Sequence, residues 1–572
     1  MLEKHPTLNK RTVEYLFLGL LLSFLLFMML RNVTEPLLDR HSWRQVDTAS
    51  FARGLAQGKF DVLHPKFLAY YPDAFGIEGA TETEFNLYPL IVAGLYRLFG
   101  IHEVIARLVS IAFSLGTAIW VYLLGKRYLD QKAGLFAVLF LGLSPLYIFY
   151  SRTVQPEATV LFFSVGALYT FTRWLRTESW TTYAAAILCA ALAFLTKLPA
   201  LYMGIPLLFA AFQEYRWRLF REWRIYLFGL ASLLPVIAYY LHAHGIYRQT
   251  GLTVYGISGG WPGSAKFDIV GQLASLDFYR VMLVRLRGPI LGPYGLLFFL
   301  AGLAIAPRSD RQSLLYVWLM AVLLFILAVP EGNRQHEYYQ LPLLPVASLF
   351  IGKAISVLLD PNTLDLDLIL VRQRMAPFIV AVAILLNARQ FFVNVSPMYA
   401  QETILLDVAE ATARLTPPDA PVAILHDWAR VPEVFYYAHR RGWSLWLERT
   451  PEGEYGRLIV AERTKTPSGW QIPTVLEDDI ERLERLRAQG ASSLVVSLEK
   501  GTRSEFLRSK LGKAISDRYT LLDSEQHWLI YDLTEPLERE SHCPEKEPTP
   551  RESQCISKFP NKPFSTCTKK GI

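Results

Sequence analysis

Residues 13–30 of the chain read VEYLFLGLLLSFLLFMML, and residues 39–47, DRHSWRQVD, follow in a polar segment that extends to about Asn86. An apolar run of this length can cross roughly 30 Å of hydrocarbon as a helix. It is too long for the apolar part of a cleavable signal peptide, and no small-residue cleavage site follows it. We therefore predict a retained membrane span, with the polar segment directly beyond it.

Similar apolar runs recur through the first 395 of the 572 residues. The chain is 52% hydrophobic and only 19% charged, a composition typical of membrane proteins. From run lengths we predict about eleven transmembrane helices, near residues 13–30, 103–125, 133–150, 157–173, 181–196, 198–213, 225–243, 289–306, 314–329, 338–357 and 376–392. The predicted fold class is an all-α polytopic membrane bundle followed by a C-terminal soluble α/β domain.

The basic residues indicate how the bundle is oriented. The net charge of +7 could suggest nucleic acid, but many basic residues lie in short loops between apolar runs, where they mark the cytoplasmic side. Alternate loops carry this excess, on the side of Lys10 and Arg11: Lys126, Arg127, Lys132, Arg173, Arg176, Arg216, Arg218, Arg221, Arg224, Arg308, Arg311, Arg372 and Arg374. We predict that the protein lies in a bacterial inner (plasma) membrane with its N-terminus in the cytoplasm. Membrane lipids are its expected neighbours, and no nucleic-acid partner is expected.

The predicted outer face holds residues 31–102 and everything after about residue 393. Within the first outer loop, the run Leu87 to Phe99 is shorter than the others. Counting it as a span would invert every later loop against the charge rule. We predict a helix at the outer membrane interface, with Tyr88, Tyr96 and Arg97 at the level of the lipid headgroups.

The sequence divides into residues 1–395, 396–535 and 536–572. In the second part, alternating strand and helix patterns predict an extracytoplasmic α/β domain. The predicted strands are Pro421–Leu425, Ser444–Leu447 and Ser492–Leu498, and the predicted helices are Val431–Arg440 and Glu477–Gln489. It could bind an acceptor or a partner, or simply cap the membrane domain. The third part is rich in Pro, Lys, Glu, Ser and Thr, so we expect disorder. An outer loop rich in glycine, residues 245–288, is predicted to be either a mobile cover or a plain connector.

Ionisable side chains are concentrated in the first outer loop, beside the first span. If Asp39 to Phe51 is helical, Asp39, Trp43 and Asp47 share one face at a spacing of four residues. A carboxylate there could take the proton of an attacking hydroxyl or amine. With Glu84, Asp47 could instead hold a divalent cation that offsets phosphate charge. The alternative is a solvated loop whose carboxylates pair with Arg40, Arg44 and Arg53.

Further polar candidates lie in the first outer loop and at the outer loop edges of other spans. They are His41 and Arg44 in the first loop, Arg152 and Glu157 around the bend SRTVQPE, Lys197 in FLTKLP, and Arg334, His336, Tyr338 and Tyr339 before the tenth predicted span. Cations near an outer headgroup plane suit a polyprenyl phosphate or diphosphate, which they bind through charge-assisted hydrogen bonds. Each could equally be an interfacial anchor with an apolar stem and a polar tip.

Several motifs in order resemble those of the GT-C glycosyltransferases over residues 10–395. They are HSWRQVDTA from His41, the segment EFNLYPLIVAGLYRLFG from Glu84, Ser151-Arg152 followed by Glu157, LTKLP around Lys197, and HEYYQLPLLP from His336. Within that superfamily the chain is most similar to the branch of the protein O-mannosyltransferases and the bacterial lipid A aminoarabinose transferase.

The resemblance implies an inverting transfer from a polyprenyl-phosphate-linked sugar to a lipid, protein or polysaccharide acceptor on the non-cytoplasmic face. It assigns the catalytic base or acceptor-orienting role to Asp47, with Asp39 as competitor, and a second functional acid to Glu84. Arg152, Lys197 and Tyr339 fall where contacts to the donor phosphate are expected. Many relatives carry an Asp-Glu pair in the loop motif, which this chain lacks, so its motif can be aligned in two ways.

Two other functions remain open from the sequence. A transporter or lipid-linked-sugar flippase would place polar residues near the bilayer midplane and often shows an internal repeat, whereas here they cluster at one face and no repeat is visible. A polysaccharide ligase or polymerase would use the same donor and differ only in its acceptor.

Overall fold

The structure is a computed structural model that describes residues 9–59, 61–66, 69–70, 80–251, 253, 269–360, 369–427, 431–449, 455–459, 464–466, 469–471 and 479–537. Two predictions fall outside these residues. They are the glycine-rich part of the outer loop, residues 256–263, and the tail from residue 538 onward.

The first 395 positions form a helical bundle. Its described helices are α1 (Lys10–Met29), α2 (Ser42–Ala56), α3 (Leu87–Phe99), α4 (Glu103–Tyr128), α5 (Gln131–Gly142), α6 (Pro145–Tyr150), α7 (Glu157–Thr177), α8 (Trp180–Thr196), α9 (Gly204–Tyr215), α10 (Trp223–Thr250), α11 (Ile269–Ala274), α12 (Leu276–Arg285), α13 (Gly292–Ala304), α14 (Ser313–Ala328), α15 (Pro330–Gln335), α16 (Leu343–Leu358) and α17 (Ile369–Val395). Short 3-10 turns occupy Leu198–Met203, Arg216–Arg221, Asp310–Gln312, Glu337–Gln340 and Ser396–Tyr399, and a π-helical turn occupies Leu286–Ile290.

Among the described residues, six helices are long and apolar enough to cross a membrane: Arg11–Met29, Glu103–Tyr128, Glu157–Thr177, Trp223–Thr250, Asp310–Ala328 and a stretch within Met375–Leu415. A seventh is obtained if Leu276–Ile290 and Gly292–Ala304 count as one broken span, whose axis bends by 104° at the break. The protein is therefore a multi-pass membrane protein, and the number of about eleven spans stays a prediction. Some predicted spans are interrupted; the run 133–150, for example, divides at Pro145, which begins α6.

The predicted helix at Leu87–Phe99 is confirmed as α3, with the same bounds. It buries Tyr88, Val92 and Tyr96 against α2, while Leu98 and Phe99 on its other side are exposed. An amphipathic helix of this kind suits a membrane interface, which stays a prediction because no membrane accompanies the chain.

Small residues let the helices of the bundle approach closely. Gly352 of α16 lies against the backbone of Ala133 in α5, so that a Cβ at this position would overlap the Ala133 carbonyl group. Helix pairs in membranes depend on such close contacts for van der Waals packing.

We expect Gly352→Ala to lower the free energy of unfolding by about 1–3 kcal/mol, the usual cost of an extra methyl in a packed interior. Thermal unfolding in detergent measures the change. Gly229→Ala is the matched control, because a Cβ there meets no atom within 4 Å. An equal effect of both substitutions would contradict the packing argument.

Beyond residue 395 lies an α/β domain. Its elements are α18 (Thr403–Leu415), β2 (Val422–His426), α19 (Pro432–Ala438), β3 (Gly442–Arg449), β4 (Tyr455–Ile459), β5 (Thr464–Thr466), β6 (Gly469–Gln471), α20 (Asp479–Ala488), β7 (Ser493–Ser497), α21 (Arg503–Arg508), α22 (Lys510–Ser516), β8 (Tyr519–Ser524) and β9 (Trp528–Pro536). All five elements predicted in this region are present, with ends shifted by one or two residues. The antiparallel pair β8–β9 was not predicted.

The main sheet joins the two parts of the chain. Its strand order is β1-β3-β2-β7-β9-β8, with β4 antiparallel to β3, and β1 is Ala69–Tyr70 of the first outer loop. Helix α19 also packs on α2, and Tyr437 of α19 donates a hydrogen bond to Glu103 (3.2 Å) and accepts one from the backbone N–H of Leu37 (2.6 Å). The α/β domain is thus built onto the loop that carries the candidate catalytic residues.

Candidate active site

Helix α2 begins at Ser42, so the prediction that Asp39, Trp43 and Asp47 share one helical face is wrong. His41 has φ 58° and ψ 37°, a left-handed conformation that stops a right-handed helix from extending towards Asp39. Both carboxylates are nevertheless buried, with 1% of Asp39 and 2% of Asp47 exposed. The alternative of a solvated loop therefore does not hold for this pair.

Asp39 is held on both of its oxygen atoms. Arg152 forms an ion pair with Oδ2, and both side chains are fully buried. Gln45 Nε2 donates to Oδ1 (2.5 Å), and Gln45 Oε1 accepts from the backbone N–H of Val154 (3.2 Å). Arg152, predicted to contact the donor phosphate, is thus placed against the first outer loop, where it neutralises Asp39.

Arg44 and Glu84 form a second ion pair, with Nη2 and Oε2 2.7 Å apart. Burial disfavours the charge on Arg44, but the nearby carboxylates of Glu84 and Glu157 raise its pKa, so the guanidinium stays charged. The pairing of Glu84 with a cation does not suit the predicted divalent metal, and the described part of the chain assembles no group of three or more His, Cys, Asp or Glu ligands. The chemistry below therefore uses no metal.

Glu157 and Lys197 form a third pair, with Nζ and Oε1 2.7 Å apart. Lys197 lies where α8 ends, and its ammonium group stands 4.6 Å from the ring centre of Tyr339 and 5.2 Å from that of Tyr338. Burial opposes the charge, but Glu157 raises the pKa of Lys197 well above its usual value. The second oxygen of Glu157 has no hydrogen-bond partner among the described residues.

A small cleft of about 40 Å³ opens beside this third pair. Glu157, Lys197, Tyr338 and Tyr339 form its polar end. Most of the remaining wall is apolar: Val160, Leu161, Pro199, Ala200, Tyr202, Phe325, Leu341 and Pro342. A cleft with apolar walls and one charged end suits an amphiphilic ligand.

Aromatic rings form the neighbouring part of the site. His336 stacks on Tyr338 (5.2 Å, 7° between ring planes), and His41 meets both rings edge-on at 5.2 Å. Burial and the His41 side chain lower the pKa of His336 to about 3. This shift favours the neutral imidazole of His336 at physiological pH.

Known proteins resemble this chain in sequence and in fold. Residues 86–241 match the family of dolichyl-phosphate-mannose-protein mannosyltransferases. ArnT from Cupriavidus metallidurans, solved with undecaprenyl phosphate, is similar with a TM-score of 0.58 and 12% identity, over 90% of this chain and 97% of that one. The Archaeoglobus fulgidus oligosaccharyltransferase in its apo form gives a TM-score of 0.56 and 14% identity, over 91% and 74%.

The chain thus shares the fold of these two solved structures. Two uncharacterized proteins of Aquifex aeolicus (strain VF5) are also similar, at 29% identity over 264 residues and 31% over 123 residues. These matches cover 56% of the first relative and 25% of the second.

Two further buried carboxyl groups of the site were missed by sequence reasoning. Glu337 forms an ion pair with Arg40 and accepts hydrogen bonds from His41 (3.4 Å) and Tyr150 (3.0 Å). Burial works against its charge, but His41 and Arg40 hold the pKa of Glu337 well below its usual range. It lies inside the HEYY motif, so its neighbours could have signalled it. Glu433 accepts a hydrogen bond from the Ser42 hydroxyl group. It lies in the α/β domain, where no sequence motif indicated a role for it.

Proposed function

We propose that this protein is an integral membrane glycosyltransferase that moves a sugar from a polyprenyl-phosphate-linked donor to an acceptor on the extracytoplasmic face of a plasma membrane. The observation that carries the proposal is the cleft with apolar walls and a charged end at Lys197. A polyprenyl phosphate can place its chain against the apolar walls and its phosphate at the charged end. A soluble nucleotide sugar has no apolar chain for such walls to bind. The similar ArnT structure holds undecaprenyl phosphate, and that of AglB from Archaeoglobus fulgidus holds an inhibitory peptide and a dolichol-phosphate.

The proposed reaction is a single displacement. The acceptor hydroxyl or amine forms a bond to the sugar C1 as the bond from C1 to the phosphate oxygen breaks, and the configuration inverts. The proton of the acceptor passes to the Asp47 carboxylate. The electron pair of the broken bond stays on the polyprenyl phosphate, whose added negative charge is stabilised by Lys197 and Arg44.

Asp39 is poorly suited to the role of base, which we therefore assign to Asp47. Both oxygen atoms of Asp39 are occupied, one by a guanidinium group and the other by an amide. A carboxylate held in this way is a poor proton acceptor, because taking a proton would break a buried ion pair. Asp39 is therefore assigned to holding the loop, with Arg152.

Lys197 and Glu157 give the first test of donor binding. In the double variant Glu157→Gln/Lys197→Met both buried charges are removed together, and we expect undecaprenyl phosphate to bind about 10- to 100-fold more weakly, the value of one or two charge-assisted hydrogen bonds. In Glu157→Gln alone, the carboxylate that competes with phosphate is lost, and binding should be equal or tighter. Affinity is measured on the purified protein in detergent.

Lys353→Met is the matched control, because Lys353 is also buried beside a tyrosine ring but lies away from the cleft, where it donates to Ile305 O and Tyr316. The proposal as a whole requires that purified protein in liposomes releases polyprenyl phosphate from a radiolabelled polyprenyl-phosphate sugar. If the labelled lipid crosses the bilayer with its sugar still attached, the protein is a transporter instead.

A further inference from the structure

A carboxyl group of the α/β domain reaches the first turn of the helix that carries Asp47. Ser42, the first residue of α2, donates a hydrogen bond from its hydroxyl group to Glu433 Oε1 (2.6 Å). Both side chains are buried, with 4% of Ser42 and 2% of Glu433 exposed. The two residues are 391 positions apart in the chain, so this contact exists only when the two domains are docked.

The second oxygen of Glu433 has no hydrogen-bond partner within the described part of the chain, although it is fully buried. Leaving a charged oxygen in this state is costly, whereas a protonated acid loses far less on burial. Burial, with smaller contributions from the charges of Glu402 and Asp47, raises the pKa of Glu433 to about 8. At neutral pH most molecules therefore carry a neutral Glu433.

The charged groups around α19 do not offset this. From α2, Asp47 faces Glu433, and Arg53 donates to Tyr436 O (3.0 Å) and contacts His439 (3.2 Å) at the far end of α19. From α4, Glu103 accepts from Tyr437, and ahead of α18 stands Glu402. Among the described residues, the charges that raise the pKa of Glu433 are the carboxylates of Glu402 and Asp47.

We propose that Glu433 is a positioning residue of the reaction centre, which as a neutral acid fixes, through Ser42, the start of the helix that carries Asp47. This inference rests on the proposed function. Glu433 would thereby hold the start of α2 in place, and the α/β domain would complete the reaction centre rather than merely cover it.

The expected signature is a loss of activity at alkaline pH. As the pH rises through about 8, Glu433 ionises and places a negative charge in the buried contact between α19 and α2, which weakens that contact. Activity should fall rather than rise with pH, because an acid whose pKa is raised in the folded protein stabilises that structure only while it is protonated. In the wild type, kcat/KM should fall about tenfold for each pH unit above the pKa of Glu433.

The test compares the pH profile of kcat/KM for wild type and Glu433→Gln, with the full chain in liposomes and a radiolabelled polyprenyl-phosphate sugar as donor. Glutamine has nearly the shape of the protonated acid and, like it, carries no charge. We expect Glu433→Gln to lie within about threefold of wild type at pH 7 and to lack the alkaline decline, so that at pH 9 it exceeds wild type about tenfold.

Tyr437→Phe is the matched control, because it removes interdomain hydrogen bonds from the same helix without touching the carboxyl group; it should keep the alkaline decline. If Glu433→Gln keeps the decline as well, Glu433 is only a structural contact and the inference fails while the transferase function stands. If wild type releases no sugar at any pH, the proposed function itself fails. Glu433→Ala serves as a check on folding, and thermal unfolding reports whether the docked state is lost.

Discussion

Asp47→Asn is expected to lose transfer activity about 10²- to 10⁴-fold, the usual contribution of a positioned general base. Asn has the same shape as Asp but cannot take the acceptor proton at neutral pH. Asp47 lies in the second turn of α2 and is buried, so a substitution that preserves its volume should leave the helix in place. The measurement is single-turnover release of polyprenyl phosphate by the purified variant in liposomes.

Binding of undecaprenyl phosphate separates a chemical defect from a binding defect. Asp47→Asn should bind this lipid as wild type does, because Asp47 is assigned to the acceptor side of the reaction. Glu84→Gln is a useful comparison, since it removes an acid of the same loop that pairs with Arg44. Normal turnover by Asp47→Asn, together with an inactive but folded Asp39→Asn, would reassign the base to Asp39.

Asp39→Asn should instead reduce stability, because it leaves the fully buried guanidinium of Arg152 without its counter-charge. Removal of one partner from a buried ion pair costs about 3–5 kcal/mol. Tyr399, whose ring centre lies 4.5 Å from the guanidinium carbon, offsets only part of this. Thermal unfolding in detergent should therefore show a large fall in melting temperature for Asp39→Asn and for Arg152→Met.

The double variant Asp39→Asn/Arg152→Met provides the control for this pair. With both charges gone, no unpaired ion remains, and stability should recover above that of either single variant. Additive losses in the double variant would show that the two side chains act independently and would contradict the assignment.

Local patterns in the sequence predicted local structure well. The bounds of α3 follow directly from an apolar run that starts after Asn86 and ends at Gly100, and the buried strands β2 and β7 follow from short runs rich in Val, Ile and Leu. The start of α2 was misplaced because nothing in the residue types around His41 demands a left-handed backbone. The glycine and proline signals that mark most helix ends are absent there.

Contacts between distant residues explain what the sequence did not reveal about the site. Asp39, Arg152 and Lys197 were all singled out, but which carboxylate pairs with which cation depends on how α2, α7 and α8 pack together. Arg152 was expected at the donor phosphate, and the structure pairs it with Asp39. Likewise, a two-residue strand such as β1 gives no periodic signal, because it forms only where β3 already supplies an edge.

The link between α2 and α19 also bears on how the protein is made. Ser42 is synthesised 391 residues before Glu433, a delay of roughly 20 to 80 s at ordinary rates of translation. Throughout that interval the membrane helices can insert while the first outer loop still lacks the helix and the strand edge on which it packs. The nascent bundle is therefore incomplete at its outer face, and the reaction centre assembles only after the α/β domain has been synthesised.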